Sequence, residues 1–270
     1  MNTNILLMTW TISPSKNQVY KSTSLSSDIR KLQYLKSLIF YITQSNFNKI
    51  IFCENSNYKF NKSETDILEN LSKLYKKELE LLHFKWDFEK TVKLWYWYGE
   101  WECIDYAYDN SKFLKDTESF YKVTGRYIIW NINEITNSHK DKKNLFIRDI
   151  PAYFTMNTAF FKMETQLYKD YFYDAKKLVN EPIKINYETA CYTKLFENNL
   201  FEKVEKLTTL PKRINCDDDN FIWSIHQYNV MKRPKQWYDY IWIRTWLYRI
   251  SSSDKFLFSI VTHFTRKNLS

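Results

Sequence analysis

The side chains with chemical potential gather in short clusters at the ends of apolar runs. Glu54 and Asn55 follow Lys49–Cys53. A carboxylate and an amide there can hold a ribose or a base, by the logic that puts an acid on a ribose hydroxyl in doubly wound folds, and Glu-Asn-Ser-Asn is equally a good solvated turn. Glu100, Glu102 and Asp105 open a helical stretch, where acids complement the positive end of the helix dipole. Each of the two glycines, Gly99 and Gly125, sits beside charged and aromatic residues. Average usage would give roughly 19 in a chain of this length, so these two mark places where φ is positive or where the backbone approaches another group closely. Part of the scarcity is compositional, since Asn, Lys, Ile, Tyr and Phe are abundant here while Gly and Pro are scarce.

Several chemistries are excluded outright. With glycines only at 99 and 125, neither G-x-G-x-x-G nor G-x-x-x-x-G-K-[ST] can occur, and G-x-S-x-G and H-E-x-x-H are absent too. The cysteines, Cys53, Cys103, Cys191 and Cys216, form no C-x-x-C, and the histidines are isolated. This excludes an obvious zinc site or disulfide framework and fits a cytoplasmic protein with reduced thiols. The balance of 40 basic to 31 acidic residues, a net +9, admits nucleic acid, anionic lipid or phosphorylated small molecules as partners.

The elements that must position these clusters alternate. Residues 5–12 and 49–53 are short apolar runs ending in polar loops, and each reads as a buried strand. From Asp28 to Gln44 apolar residues recur at helical spacing. Ser63-Glu64-Thr65-Asp66 has a capping-box pattern opening a second helix, and Leu79–Phe84 reads as a third strand. The order βαβαβ predicts a mainly parallel sheet flanked by helices, with ligands outside the carboxyl ends of its strands. Residues 101–114 read as helix, 119–130 and 152–156 as strands, and 158–169, 187–197 and 220–231 as helices. We divide the chain into an α/β domain, 1–232, and an aromatic, basic helical segment, 233–270. In that segment, 237–249 either lies on an anionic membrane surface or packs on the core. No run is long and apolar enough for a spanning helix.

Three ordered motifs carry a resemblance: Ile51-Phe52-Cys53-Glu54-Asn55-Ser56-Asn57-Tyr58, Tyr98-Gly99-Glu100-Trp101-Glu102-Cys103-Ile104-Asp105-Tyr106-Ala107 and Phe120-Tyr121-Lys122-Val123-Thr124-Gly125-Arg126-Tyr127. Over about residues 5–135 the chain resembles bacterial capsule and lipopolysaccharide glycosyltransferases. It departs from their pattern at Trp101, where they tend to have glycine, at Pro151-Ala152, and at Asn215-Cys216-Asp217. The resemblance implies a GT-A-like nucleotide-sugar fold and transfer of a sugar from a nucleotide-sugar donor to a cell-surface glycan acceptor. It also implies a donor site formed by Thr9, Glu54, Asn55, Gly99, Glu100, Thr124, Gly125 and Arg126, with no nucleic acid as partner.

Such folds usually place an Asp-x-Asp metal motif where this chain has Thr-Gly-Arg-Tyr. Arg126 offers a fixed positive fork for phosphate oxygens, so no metal is expected; alternatively it braces the sheet by pairing with Glu100 or Glu102. Asp217-Asp218-Asp219 contains an Asp-x-Asp, but it directly precedes a helical run, where Asp is a favoured cap. An inverting transfer needs a base for the acceptor hydroxyl. Asp149 and Glu188 are the candidates, with His226 third, and each reads equally as a surface ion or cap. The competing function is a non-enzymatic basic protein that binds nucleic acid or a membrane surface.

Overall fold

The computed structural model of the chain describes residues 4–13, 25–87, 89–90, 96–148, 156–173, 175–180, 185–209, 211–215 and 222–224. Asp149, His226, Asp217-Asp218-Asp219 and the segment 233–270 with its 237–249 stretch lie outside the described residues.

Strands β1 (Ile5–Trp10) and β2 (Lys49–Glu54) are buried along almost their whole length. Both faces of each are covered, which is why they read as continuous apolar runs and not as alternating ones. Helix α1 (Ser27–Gln44) starts at Ser26, whose hydroxyl accepts from Ile29 N. It buries Arg30, Gln33, Tyr34, Ser37, Leu38 and Tyr41, the i, i+3, i+4, i+7 stripe of a helix lying on a sheet. Helix α2 (Lys62–Leu74) has a reciprocal capping box, formed by Asn61 and Glu64. The cap is thus two residues before the expected one, because Asn61 accepts from Glu64 N while Glu64 reaches back to Asn61 N. After β3 (Glu78–His83) come α3 (Tyr96–Asn110), β4 (Ser119–Thr124), β5 (Tyr127–Ile129), α4 (Ile132–Ser138), β6 (Leu145–Arg148) and β7 (Met156–Glu164). Helix α5 (Tyr187–Glu197) and strands β8 (Glu205–Lys206), β9 (Lys212–Asn215) and β10 (Ile222–Ser224) follow, with short helical turns at Lys112–Lys115, Thr165–Leu167, Tyr168–Phe172, Ala175–Leu178 and Phe201–Lys203.

The architecture is α/β: a seven-stranded sheet in the order β3-β2-β1-β4-β7-β6-β8, flanked by helices, with a small sheet β10-β9-β5 beside it. The large sheet is mixed and not mainly parallel as expected. β7 pairs antiparallel with both β4 and β6. The reason lies in chain length, because only seven residues separate β6 from β7, whereas a parallel crossover needs a dozen or more. Residues 158–169 were expected to be helical, yet most of that stretch belongs to β7. Its adjacent Phe160 and Phe161 are both buried, one in each core layer, as in a strand covered on two faces. The expected strand 119–130 is broken after Thr124, and its second half leaves for the small sheet. Within 220–231, residues 222–224 are strand. Among the described residues, no helix is long and apolar enough to cross a membrane.

The period of two along each strand sorts side chains into two layers. Ile5, Leu7, Ile51, Cys53 and Phe120 pack with α3 and α5; Leu6, Met8, Trp10, Phe52, Tyr121 and Val123 pack with α1 and α2. The chain runs outward from β1 to β2 and β3, then returns to place β4 on the other side of β1. That reversal makes a topological switch point between β1 and β4, where Thr9 pairs with Thr124. In open α/β sheets, ligand crevices form at the carboxyl ends of strands at such a point.

Candidate functional site

The three motifs meet at this edge. Asn55, just past β2, donates from Nδ2 to Gly99 O at 3.0 Å and accepts from Thr11 Oγ1 at 2.7 Å, so it ties the start of α3 to the loop after β1. Helix α3, expected to open at Glu100, Glu102 and Asp105, begins four residues before Glu100, at Tyr96, and has no acid in its first turn. Glu100, one turn into α3, turns toward the switch point. Its Oε1 accepts from Thr9 Oγ1 (3.2 Å), Thr124 Oγ1 (2.7 Å) and Lys122 Nζ. Lys122 has the same strand parity as Phe120 and Thr124, so its side chain enters the α3 layer, where it is fully buried. Its ammonium also donates to Thr124 Oγ1 at 3.0 Å and to Thr158 O at 2.8 Å, using all three of its protons inside the protein. Thr158 N in turn donates to Glu188 Oε1 at 3.4 Å. Glu188 is held in the first turn of α5, whose cap is Asn186 accepting from Thr189 N.

Of the residues expected at the site, Thr9, Glu100 and Thr124 form one hydrogen-bonded cluster, with Glu188 reached through Lys122 and Thr158. Lys122 was not among the expected residues. A lysine on the inward face of a two-sided strand carried the signal, because a buried ammonium requires a nearby anion.

Glu54 serves another purpose. Fully buried, it accepts from Ile12 N (3.0 Å), Ser56 N (3.0 Å), Tyr58 N (2.8 Å) and Ser56 Oγ. Burial pushes its carboxyl above the ordinary value, opposed by these donors. It splices the loops after β1 and β2 together, and both of its oxygens are engaged in doing so.

Arg126 reaches Gln33 Oε1 of α1 at 3.5 Å, on the layer opposite Glu100. Glu100, one of the two acids of the expected alternative brace, takes Lys122 as its cationic partner. Neither glycine has a positive φ; both answer to close approach. A Cβ on Gly99 would lie 2.7 Å from Trp86 Cε3, and one on Gly125 would lie 2.4 Å from Trp10 Nε1. Trp101 is a core residue: its indole donates to Asp105 Oδ1 at 3.0 Å and its ring meets Tyr187 edge-on at 4.2 Å. Asp105 is buried, and burial pushes its carboxyl up, opposed by Lys176 Nζ at 2.6 Å and the Tyr168 hydroxyl. The acids of α3 thus have separate tasks, with Glu100 facing the switch point and Asp105 locking α3 to the segment carrying Tyr168 and Lys176. Among the described residues, no three His, Cys, Asp or Glu side chains gather as a metal site.

Glu102 is the most perturbed carboxyl of the region. Burial pushes it up to about 7, with Asp87 adding to the rise and Lys176 and the Asp87 backbone N–H opposing it. The folded protein therefore binds a proton there that the unfolded chain has released. Stability falls as pH rises from the ordinary carboxylate range near 4.5 through 7. Glu102→Gln is expected to flatten this slope and to raise the Tm at pH 8 relative to the wild type. Thermal melts between pH 5 and 8 check it, and parallel curves for the two proteins would exclude the assignment.

The chain matches no protein-family model, and no curated protein sequence is significantly similar to it.

Proposed function

We propose that the protein is a glycosyltransferase that moves a sugar from a nucleotide-sugar donor to a cell-surface glycan acceptor, capsule or lipopolysaccharide, without a metal ion. The observation that carries this reading is the convergence of all three motifs on one carboxyl edge: Asn55 bonds Gly99, and Glu100 bonds Thr9, Lys122 and Thr124. Motif residues that served only local turns would have no reason to meet across β2, β1, β4 and α3. A GT-A-like fold is the finer form of the α/β architecture that this reading adopts.

In this scheme Arg126 meets the donor phosphates, neutralising the leaving group. Glu188 or Asp149 takes the acceptor proton. The protein works in the cytoplasm, at the inner face of the membrane, with 237–249 at the anionic surface. The test is thermal stabilisation by a panel of nucleotides and nucleotide sugars, with and without EDTA. Saturation at 100 times Kd adds about 2.7 kcal/mol of stability, and Arg126→Ala is expected to reduce the response while EDTA leaves it unchanged. Absence of a shift with every donor, together with oligonucleotide binding that weakens steeply with salt, would replace the proposal with a basic nucleic-acid-binding protein.

A further inference from the structure

The groups expected to hold a nucleoside are occupied by the protein itself. Glu54 receives four donors on its two oxygens, and Asn55 bridges Thr11 and Gly99. Glu100 differs from both. Its three bonds, from Thr9, Lys122 and Thr124, all fall on Oε1. No group among the described residues bonds its Oε2, and the side chain keeps 14% exposure at the switch-point edge.

This arrangement presents one carboxylate oxygen whose orientation is already fixed, so a ligand that uses it does not have to order the side chain. Lys122 does the fixing. At 0% exposure, with its protons on Glu100, Thr124 and Thr158, it touches no ligand. The neighbouring Thr158 hydroxyl is buried and has no partner among the described residues, which leaves a second polar group unsatisfied in the same cluster. An open carboxylate oxygen accepts hydrogen bonds and repels phosphate. What it recognises is a hydrogen-bond donor, which on the ribose or the transferred sugar is a hydroxyl, and the phosphates must lie elsewhere along the edge.

Building on the reading of this edge as a nucleotide-sugar site, we propose that Glu100 Oε2 is the hydroxyl receptor of the crevice. Its ligand is a sugar hydroxyl, on the nucleoside ribose or on the transferred sugar, and Lys122 is the positioning residue that aims it. The test is a set of dissociation constants on the intact protein. UDP, GDP, CDP, ADP and CMP are each compared with their 2′-deoxy and 3′-deoxy forms. In a second arm, UDP-glucose and GDP-mannose are compared with deoxy-sugar counterparts.

Removing the recognised hydroxyl is expected to weaken binding about 10- to 100-fold, the range for a hydrogen bond to a charged group. The arm in which the loss occurs identifies the ring. In Glu100→Gln the discrimination should fall below about threefold. The double variant Glu100→Gln/Lys122→Met removes both charges together, keeps the pocket neutral and provides the same readout if the single variant does not fold. Lys122→Arg should retain more of the discrimination than Lys122→Met, a distinction that a purely structural lysine would not produce. Donor binding with no deoxy penalty in either arm, or a penalty unchanged in the folded Glu100 variants, overturns the assignment while leaving the glycosyltransferase reading intact. Failure of every nucleotide and nucleotide sugar to bind removes that reading and the assignment with it.

Discussion

Glu100→Gln is expected to lower the unfolding free energy by about 3–5 kcal/mol, the range for breaking a buried ion pair from one side. The magnitude comes from Lys122. Its ammonium is fully buried, and Glu100 is the only anion that bonds it among the described residues. The remaining acceptors, Thr124 Oγ1 and Thr158 O, are neutral and cannot replace a countercharge in a low-dielectric interior. Domains of this kind hold about 5–15 kcal/mol in all, so the single variant should unfold at a markedly lower urea concentration. Glu100→Gln/Lys122→Met should recover much of the loss, because an ion pair replaced as a unit by neutral groups is often close to neutral in stability. Urea titrations of the wild type, both single variants and the double variant close the cycle. A double variant as unstable as the sum of the singles would mean that the two residues are not coupled.

Gly125→Ala is expected to destabilise by about 3 kcal/mol, the upper end of the range for overpacking, and Gly125→Val by more. A methyl there would lie 2.4 Å from Trp10 Nε1, 2.6 Å from Trp10 Cδ1 and 2.8 Å from Thr9 O. None of these atoms can retreat easily. Trp10 is stacked on Tyr34 at 4.3 Å and packed on Phe52 at 3.8 Å. Thr9 O belongs to β1 and accepts from Gly125 N at 3.1 Å, while Ser37 Oγ donates to Gly125 O from the far side. The measurement is a urea midpoint followed by tryptophan fluorescence. An unchanged midpoint in Gly125→Ala would show that the indole moves aside freely.

Much of the frame was legible along the chain. The apolar runs at β1 and β2, the extent of α1, and α5 at 187–197 stand where the spacing put them, because each depends on the burial of a single continuous segment. The face of α1 does not, since Ile29, Leu32 and Ile39 are exposed while Arg30, Gln33, Tyr34 and Ser37 are buried. The elements that went unread depend on partners distant in sequence. β7 pairs with β4 some forty residues away. Its Phe160-Phe161 run fits a helix or a two-sided strand until the neighbouring strand is known.

The candidate site divides in the same way. The sequence by itself singled out residues as groups: an acid and amide at the end of β2, acids expected to open a helix that begins earlier at Tyr96, a threonine, glycine and arginine at the end of β4, and the two glycines. Only the tertiary structure decided what each one does. Glu54 and Asn55 face inward as splices between loops, and Arg126 lies on the α1 side while Glu100 lies on the α3 side. Lys122, whose inward strand position called for an anion without naming one, became the partner on which Glu100 depends. The physical reason is that a strand's period of two sends adjacent residues to opposite layers, and no count along one strand shows what occupies the layer it faces. The glycines follow the same rule. Their scarcity marked them as constrained, but the constraint is the indole of Trp86 or Trp10 pressed against the backbone, a contact made by residues 13 and 115 positions away.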